Sequence, residues 1–351
     1  MGVVGGGLIA QIAHLPALRA LDARFSVRAL AEPSARVRAA LARRYAIAET
    51  YASHEPMLER TELDAVIVCS PNGTHARVTL DALAAGLHVL VEKPLCLAPD
   101  DATAIERAAR AAGRVVQVGY MKRFDPAYER LLASLPECGP LRLLASATID
   151  PGIGERLRPA GFVAADDLPA DAGATLRETT ALQVAAAIGS EAPQHVRAYS
   201  DAFAGALIHD VNLLAGLLGD ADDGWRVADA AGAGDDALAY GAWSGAGGAR
   251  WSAAWLRVDA AASFEEELRV LGRDGVATLH FPAPYHGSAP AELRVAGEPA
   301  LRWRPAADSY VRELEHFHAC VAGGERCRTP IAQGARDVAR LAELYRAAMA
   351  A

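Results

Sequence analysis

Val91-Glu92-Lys93-Pro94-Leu95 is the stretch whose residue types are best suited to chemistry. His88-Val89-Leu90-Val91, apolar apart from His88, reads as a short buried strand running into an acid, a base and a proline. The carboxyl end of a strand in an open α/β sheet is where ligands sit. A lysine there can reach a substrate hydroxyl. The proline fixes the backbone behind it and permits a cis Lys93-Pro94 bond. The competing account is a solvated strand end closed by proline.

A second constellation lies at the start of the chain. Met1-Gly2-Val3-Val4 reads as the tail of a strand with almost no lead-in, so a start a few residues upstream is expected. Gly5-Gly6-Gly7-Leu8-Ile9-Ala10 then opens a helix and fits the dinucleotide fingerprint G-x-G-x-x-A. Gly5 permits the tight turn, Gly7 lets the backbone approach a pyrophosphate at the helix N-terminus, and Ala10 lets the helix lie close to the sheet. The cofactor-binding set from this turn is Gly5, Gly7, Leu8 and Ile9. Glycines also mark ordinary turns, but a second strand at Ser26–Ala31 ends in Glu32, 22 residues beyond Ala10. A ribose-binding carboxylate belongs there. It accepts from a ribose diol and repels a 2'-phosphate, which favours NAD and leaves NADP possible. Ser34 and Arg36 are types that bind phosphate, although Arg36 reads more simply as a solvated helix residue.

These two constellations need a scaffold, and the periodicity supplies one. Helices are expected over Arg36–Tyr45, Ala76–Ala85 and Asp101–Ala112, and strands over Ala65–Cys69, the lysine strand and Val115–Gly119. Strands alternating with helices make a parallel doubly wound sheet, a Rossmann domain over residues 1–120. Residues 121–351 change character. Leu141–Thr148 is a strand, and Pro151–Asp171 is a long loop rich in Gly, Pro and Asp. Ala206–Leu218 is an apolar helix, and short strands run from Trp225 to about Val295. Asp308–Ala322 and Ile331–Met349 are closing helices. Consecutive strands point to an α+β domain with a large, mostly antiparallel sheet, so the fold class is α/β with that second domain.

At 351 residues, two domains are expected. The composition is globular, 52% hydrophobic and 22% charged, and a net charge of -8 gives no footprint for nucleic acid. No apolar run reads as long enough to cross a membrane, and no signal peptide precedes the first strand. Cysteines 69, 96, 138, 320 and 327 are scattered without metal-ligand spacing, so no metal and a cytoplasmic location are expected. His316 and His318 are two apart on a helix and read as packing and surface residues. Trp251 and Trp255 are types that stack on sugars, but buried sheet packing explains them better.

In this order the motifs resemble the Gfo/Idh/MocA oxidoreductases. The likeness is carried by Gly5–Ala10, Cys69-Ser70-Pro71-Asn72 with His75, Glu92-Lys93-Pro94, Gly119–Pro126, Leu207-Ile208-His209-Asp210, and Tyr310 with Thr329-Pro330. It spans nearly the whole chain and is weakest over Pro151–Gln194. It implies hydride transfer between nicotinamide and a secondary alcohol or ketone of a sugar, nucleotide sugar or cyclitol. It also implies a homodimer or homotetramer, with the closing helices packed back towards the Rossmann domain. By the same likeness Lys93 sits beside the reacting oxygen, and His209 faces it from the second domain. Ser70, Asn72, His75 and Glu92 line the cofactor, and Arg123 and Asp210 join the substrate site.

Oxidising a secondary alcohol removes a hydride and a proton, so a base must lie within hydrogen-bond reach of the hydroxyl. Histidine titrates near neutrality, and a lysine beside a cationic nicotinamide has a lowered pKa. Either takes the proton, or lysine polarises the oxygen while histidine shuttles. Without the likeness, His209 reads as a core histidine and Asp210 as a residue that orients its neighbours. The resemblance implies, as in many members of that family, an aspartate four residues before the histidine. Here that position is Gly205, and Asp201 lies four residues further back, too far for contact along a helix. Two other functions use the same motifs: a glycosidase acting by transient oxidation and elimination, and a non-catalytic NAD-binding sensor.

Overall fold

The computed structural model describes residues 1–152, 161–169, 171–219, 224–283, 290–303 and 308–351. Part of the loop expected over Pro151–Asp171 therefore lies outside the described residues. The chain separates into two compact units. The first is Met1–Gly119, Arg158–Ala187 and Tyr310–Val338, and the second is Tyr120–Leu157, Ile188–Ser309 and Ala339–Ala351.

The first unit is built on six strands: β1 (Gly2–Val4), β2 (Ala29–Ala31), β3 (Glu49–Tyr51), β4 (Ala65–Val68), β5 (His88–Glu92) and β6 (Val116–Gly119). They pair in parallel in the order β3-β2-β1-β4-β5-β6. This is the order of a dinucleotide-binding sheet, with its topological switch between β1 and β4. Both faces are covered, so the strands are apolar throughout: Val66, Ile67, Val68, Val89, Leu90 and Val91 are fully enclosed. The second strand is shorter than its apolar run, because only Ala29–Ala31 finds ladder partners on β1 and β3. The segment after the closing helix Ser309–Gly323 joins this sheet. Thr329 exchanges hydrogen bonds with Val118, accepting its N–H at 2.9 Å and donating its hydroxyl at 2.8 Å.

The second unit holds an eight-stranded sheet. Its central strand, β7 (Leu141–Asp150), pairs in parallel with Arg250–Arg257 and antiparallel with Glu265–Gly272, and every other pairing in the sheet is antiparallel. Alternating residues of one face are buried. Trp243 stacks on Trp251 with ring centroids 4.5 Å apart, and both are enclosed, as sheet packing requires.

Two expectations are corrected. The helix placed at Ala206–Leu218 starts earlier: Pro193–Arg197, a π stretch Ala198–Leu207 and Ile208–Leu218 run together without a break. The resulting 26-residue helix is long and apolar enough, by length and composition, to cross a membrane, and 67% of its most apolar window is buried within the protein. Its apolar faces meet Tyr345, whose ring packs edge-on against Phe203 and Tyr199. The stretch Ala174–Ile188, given no element from sequence, is a helix belonging mostly to the first unit.

Candidate active site

At the end of β1 the chain turns within a tight enclosure. Gly5 has φ +96°, and a Cβ there would lie 2.6 Å from the carbonyl oxygen of Cys69, the residue that follows β4. Only glycine meets both conditions. A Cβ on Gly7, by contrast, would find no atom within 4 Å. Open space over the first turn of a helix, floored by bare backbone, is what a pyrophosphate requires. Leu8 and Ile9 form that turn, half-buried, and the helix continues as a π stretch, Ala10–His14, into Leu15–Ala20. Glu32 closes the far side. Its carboxylate accepts the Gly6 N–H at 2.7 Å and the Ser34 N–H at 2.9 Å. A carboxylate offers about four acceptor positions, so it has capacity left for a ribose diol. These residues fit a dinucleotide.

The loop after β4 is held from within. Ser70 and Thr74 share a hydroxyl hydrogen bond of 2.6 Å, and Asn72–Thr74 form a 3-10 turn. His75 lies 1% exposed, its two ring nitrogens 2.7 Å from the carbonyl oxygens of Ser70 and Pro94. Burial lowers its pKa, against the pull of the two carbonyls towards a protonated ring. His75 pins the Ser70 loop to the proline after Lys93. The helix Ala174–Ile188 backs this loop, with Gln183 Nε2 donating to Gly73 O at 3.0 Å.

Lys93 follows β5 directly, is partly exposed, and precedes a cis peptide bond to Pro94. Its own N–H donates to Glu92 Oε2 at 3.1 Å. The other oxygen of Glu92 lies 2.8 Å from Nε2 of His14, a fully enclosed histidine on the first helix. Burial acts to raise the Glu92 pKa, but the hydrogen bond and charge of His14 and the charge of Lys93 outweigh it and hold it below the ordinary value. Glu92, expected at the cofactor, is 6% exposed and holds this internal pair. Sequence reasoning missed His14. The only signal was a polar residue on the buried face of the first helix.

In the second unit, His209 sits in the first turn of Ile208–Leu218 and is half-buried. Asp210, expected at a substrate site, is 1% exposed and turned to the sheet. It accepts hydrogen bonds from the hydroxyls of Ser146 and, at 3.1 Å, Thr148, both on β7. Its pKa is raised to about 7, first by burial and then by the charge of Glu266, against the pull of Lys122 and the two hydroxyls. Lys122 Nζ lies 2.6 Å from both oxygens of Glu266. Asp210 thus fixes the helix that carries His209. Arg123 does related work: its guanidinium lies 3.4 Å from the backbone oxygen and side-chain Oδ1 of Asn212 and 5.7 Å from the Tyr128 ring centre. Asp201 is exposed and accepts from the Ser200 hydroxyl at 2.8 Å.

Cysteines that looked scattered are not all apart. Cys320, Cys327 and His316 bring two sulfurs and a ring nitrogen within 4.8 Å of one another. The ring Nε2 accepts the Arg328 N–H at 2.9 Å, and burial pushes the Cys327 thiol up to about 12. The spacing escaped notice because a loop, not a helix, returns Cys327 to the cluster.

Residues 1–120 match the oxidoreductase family with an NAD-binding Rossmann fold. Over these residues the chain is similar to the Gfo/Idh/MocA oxidoreductases. It is 35% identical over 159 residues to inositol 2-dehydrogenase of Paracoccus denitrificans, covering 44% of this chain and 47% of that protein. The chain thus spans about half the length of the curated relatives it matches. Across nearly its full length it has the fold of a 3-ketoreductase from Actinomadura kijaniata solved with NADP and TDP-benzene. The TM-score is 0.75 at 20% identity, covering 99% of this chain and 96% of that one. The WlbA dehydrogenase from Bordetella pertussis, solved with NADH and UDP-GlcNAcA, shares it at TM-score 0.72 and 18% identity, covering 99% and 96%. The NAD-binding family match agrees with the expected nicotinamide dinucleotide.

Proposed function

We infer that the protein transfers a hydride between a nicotinamide dinucleotide and a secondary alcohol or ketone of a sugar-like substrate. Cyclitols and nucleotide sugars are the classes of choice, since the names of similar proteins point to inositol and to nucleotide-linked sugars. The observation that carries the reading lies within one sheet. The fingerprint turn after β1 and the lysine after β5 both stand at the carboxyl edge of the same parallel sheet, on either side of the loop that follows β4. That edge is where such sheets bind ligands.

Gly5, Gly7, Leu8 and Ile9 hold the pyrophosphate, Glu32 the adenosine ribose, and Ser70 and Asn72 the cleft side of the loop. The bound dinucleotide supplies the hydride acceptor or donor. Lys93 Nζ holds or moves the proton at the substrate oxygen, and His209 is the second proton-transfer group. Glu92 and His14 position the lysine backbone, and Asp210 positions the histidine helix. The protein works in the cytoplasm as a homo-oligomer, a dimer or a tetramer.

The test is a panel of inositols, sugars and nucleotide sugars with NAD, followed at the reduced-nicotinamide absorbance band. Lys93→Ala is expected to keep dinucleotide affinity within a few-fold and to lose about a hundredfold or more in turnover. Near-normal turnover in that variant reduces Lys93 to a strand-end residue and removes the mechanism.

A further inference from the structure

Ser34 and Arg36, which follow the second strand, carry the donors that a phosphate monoester needs, and the chain itself fills them. Ser34 caps the helix Ala35–Tyr45, its Oγ accepting the Val37 N–H at 3.0 Å. The same hydroxyl donates to Asp167 Oδ1. The Arg36 N–H donates to Asp167 Oδ2 at 2.9 Å, and the Arg36 guanidinium reaches both oxygens of Asp166 at 2.5 Å. A hydroxyl, a helix-start N–H and a guanidinium are the usual recognition set for a phosphate. This corner adjoins Glu32, where a dinucleotide's adenosine ribose is read.

The two aspartates do not arrive there by chance fraying, because the segment that carries them is tied down along the same face. Gln11 exchanges two hydrogen bonds with the backbone of Val163, Nε2 to its oxygen at 2.9 Å and Oε1 from its N–H at 3.0 Å. Arg44 donates to the carbonyl of Gly161 at 2.5 Å. The hydroxyl of Ser34 and then the amide of Arg36 hold the Asp167 carboxyl below the ordinary range, so it is an anion at neutral pH. The segment thus runs past the first helix and the second, and ends with two carboxylates on the phosphate donors.

We propose that Asp166 and Asp167 are specificity residues that reserve this corner and exclude the 2'-phosphate of NADP. The proposal rests on the dinucleotide reading above and extends it from Glu32 to a distant segment of the chain. NAD, lacking that phosphate, leaves the contacts in place. NADP must take the Ser34 and Arg36 donors from two carboxylates and then sit against like charge. By residue type alone, Ser34 and Arg36 argue for NADP; with their donors already spent, they argue against it.

The experiment compares dissociation constants for NAD and NADP by calorimetry, in the wild type and in Asp166→Asn/Asp167→Asn. Both aspartates are exposed, so folding is not at stake. The wild type is expected to prefer NAD. The double variant should bind NADP about tenfold tighter than the wild type does, with NAD affinity held within about threefold. Adding Arg36→Ala to the double variant should remove the gain. A wild type that binds NAD while the double variant keeps its NADP affinity overturns the role of the aspartates alone. A wild type that binds neither dinucleotide overturns the dinucleotide reading and this proposal with it.

Discussion

Glu92 and Asp210 are both buried carboxylates, and each is the chain neighbour of a proposed proton-transfer group, Lys93 and His209. Their surroundings push them in opposite directions. Glu92, 6% exposed, has His14 on one oxygen and the Lys93 backbone on the other, and its pKa is lowered despite burial. Asp210, 1% exposed, accepts from the hydroxyls of Ser146 and Thr148, lies near the charge of Glu266 and the opposing charge of Lys122, and its pKa rises to about 7. Burial alone would raise both. At Glu92 the hydrogen bond and opposite charges overcome burial; at Asp210 burial, aided by Glu266, prevails over Lys122 and the two hydroxyls. The first unit therefore holds a fixed anion behind its lysine, and the second holds a carboxyl that titrates near neutrality behind its histidine.

The largest break in this comparison is Glu92→Gln. The amide oxygen can still accept from His14, but the amide N–H₂ then faces the Lys93 N–H, donor against donor. A buried donor left unsatisfied costs about 1–3 kcal/mol. Displacing the lysine slightly should also lower turnover by about tenfold to a hundredfold. The pH test has a definite sign. A lowered carboxyl pKa contributes stability that is present above the ordinary value of 4.5 and is lost as pH falls through the folded value. The variant's denaturation midpoint should therefore vary less with pH on the acid side than the wild type's. Equal acid profiles and unchanged turnover would make the Glu92–His14 pair irrelevant to Lys93.

Asp210→Asn should act more gently. Asparagine keeps an oxygen for Ser146 and Thr148 and resembles the protonated acid. In the wild type the folded state holds its proton up to about pH 7 while the unfolded chain loses it near 3.8. Stability therefore falls as pH rises between those values, by at most about 1.4 kcal/mol per pH unit. The variant should match the wild type near pH 5 and exceed it at pH 8 in urea denaturation. Parallel stability curves would show that Asp210 carries no such proton.

The contrast between the units also marks what the residues disclosed beforehand. The parallel sheet was legible because its strands are apolar on both faces and its turns carry glycine at positions where geometry admits nothing else, Gly5 above all. The lysine strand was legible for the same reason. His14 was not, because a histidine on a buried helix face has no pattern until its partner on another strand is known. Asp210 lay in a recognisable motif, yet nothing along the chain says that Ser146 and Thr148, on β7, will claim its carboxylate. The segment carrying Asp166 and Asp167 read as a loop. Its attachment to Ser34, Arg36 and Gln11 joins residues more than a hundred positions apart.

The smallest expected effect is at Asp201, and it sharpens the reading of His209. The family likeness implies an acid four residues before the histidine; this chain has Gly205 there, which leaves Asp201 as the nearest acid upstream. The helix between them is a π stretch from Ala198 to Leu207, whose wider turns shift the register assumed for an α-helix. Even so, Asp201 is exposed and its carboxylate is bonded to the neighbouring Ser200 hydroxyl, whereas the acid that does steady the histidine helix is Asp210, through β7. Asp201→Ala should leave turnover within about twofold, since it removes a surface group and one local hydrogen bond. His209→Ala should abolish most turnover while dinucleotide affinity stays within a few-fold. Measured side by side in the steady state, the two variants should differ by about a hundredfold. If both are equally impaired, Asp201 serves the reaction, and the assignment of the supporting acid to Asp210 is wrong.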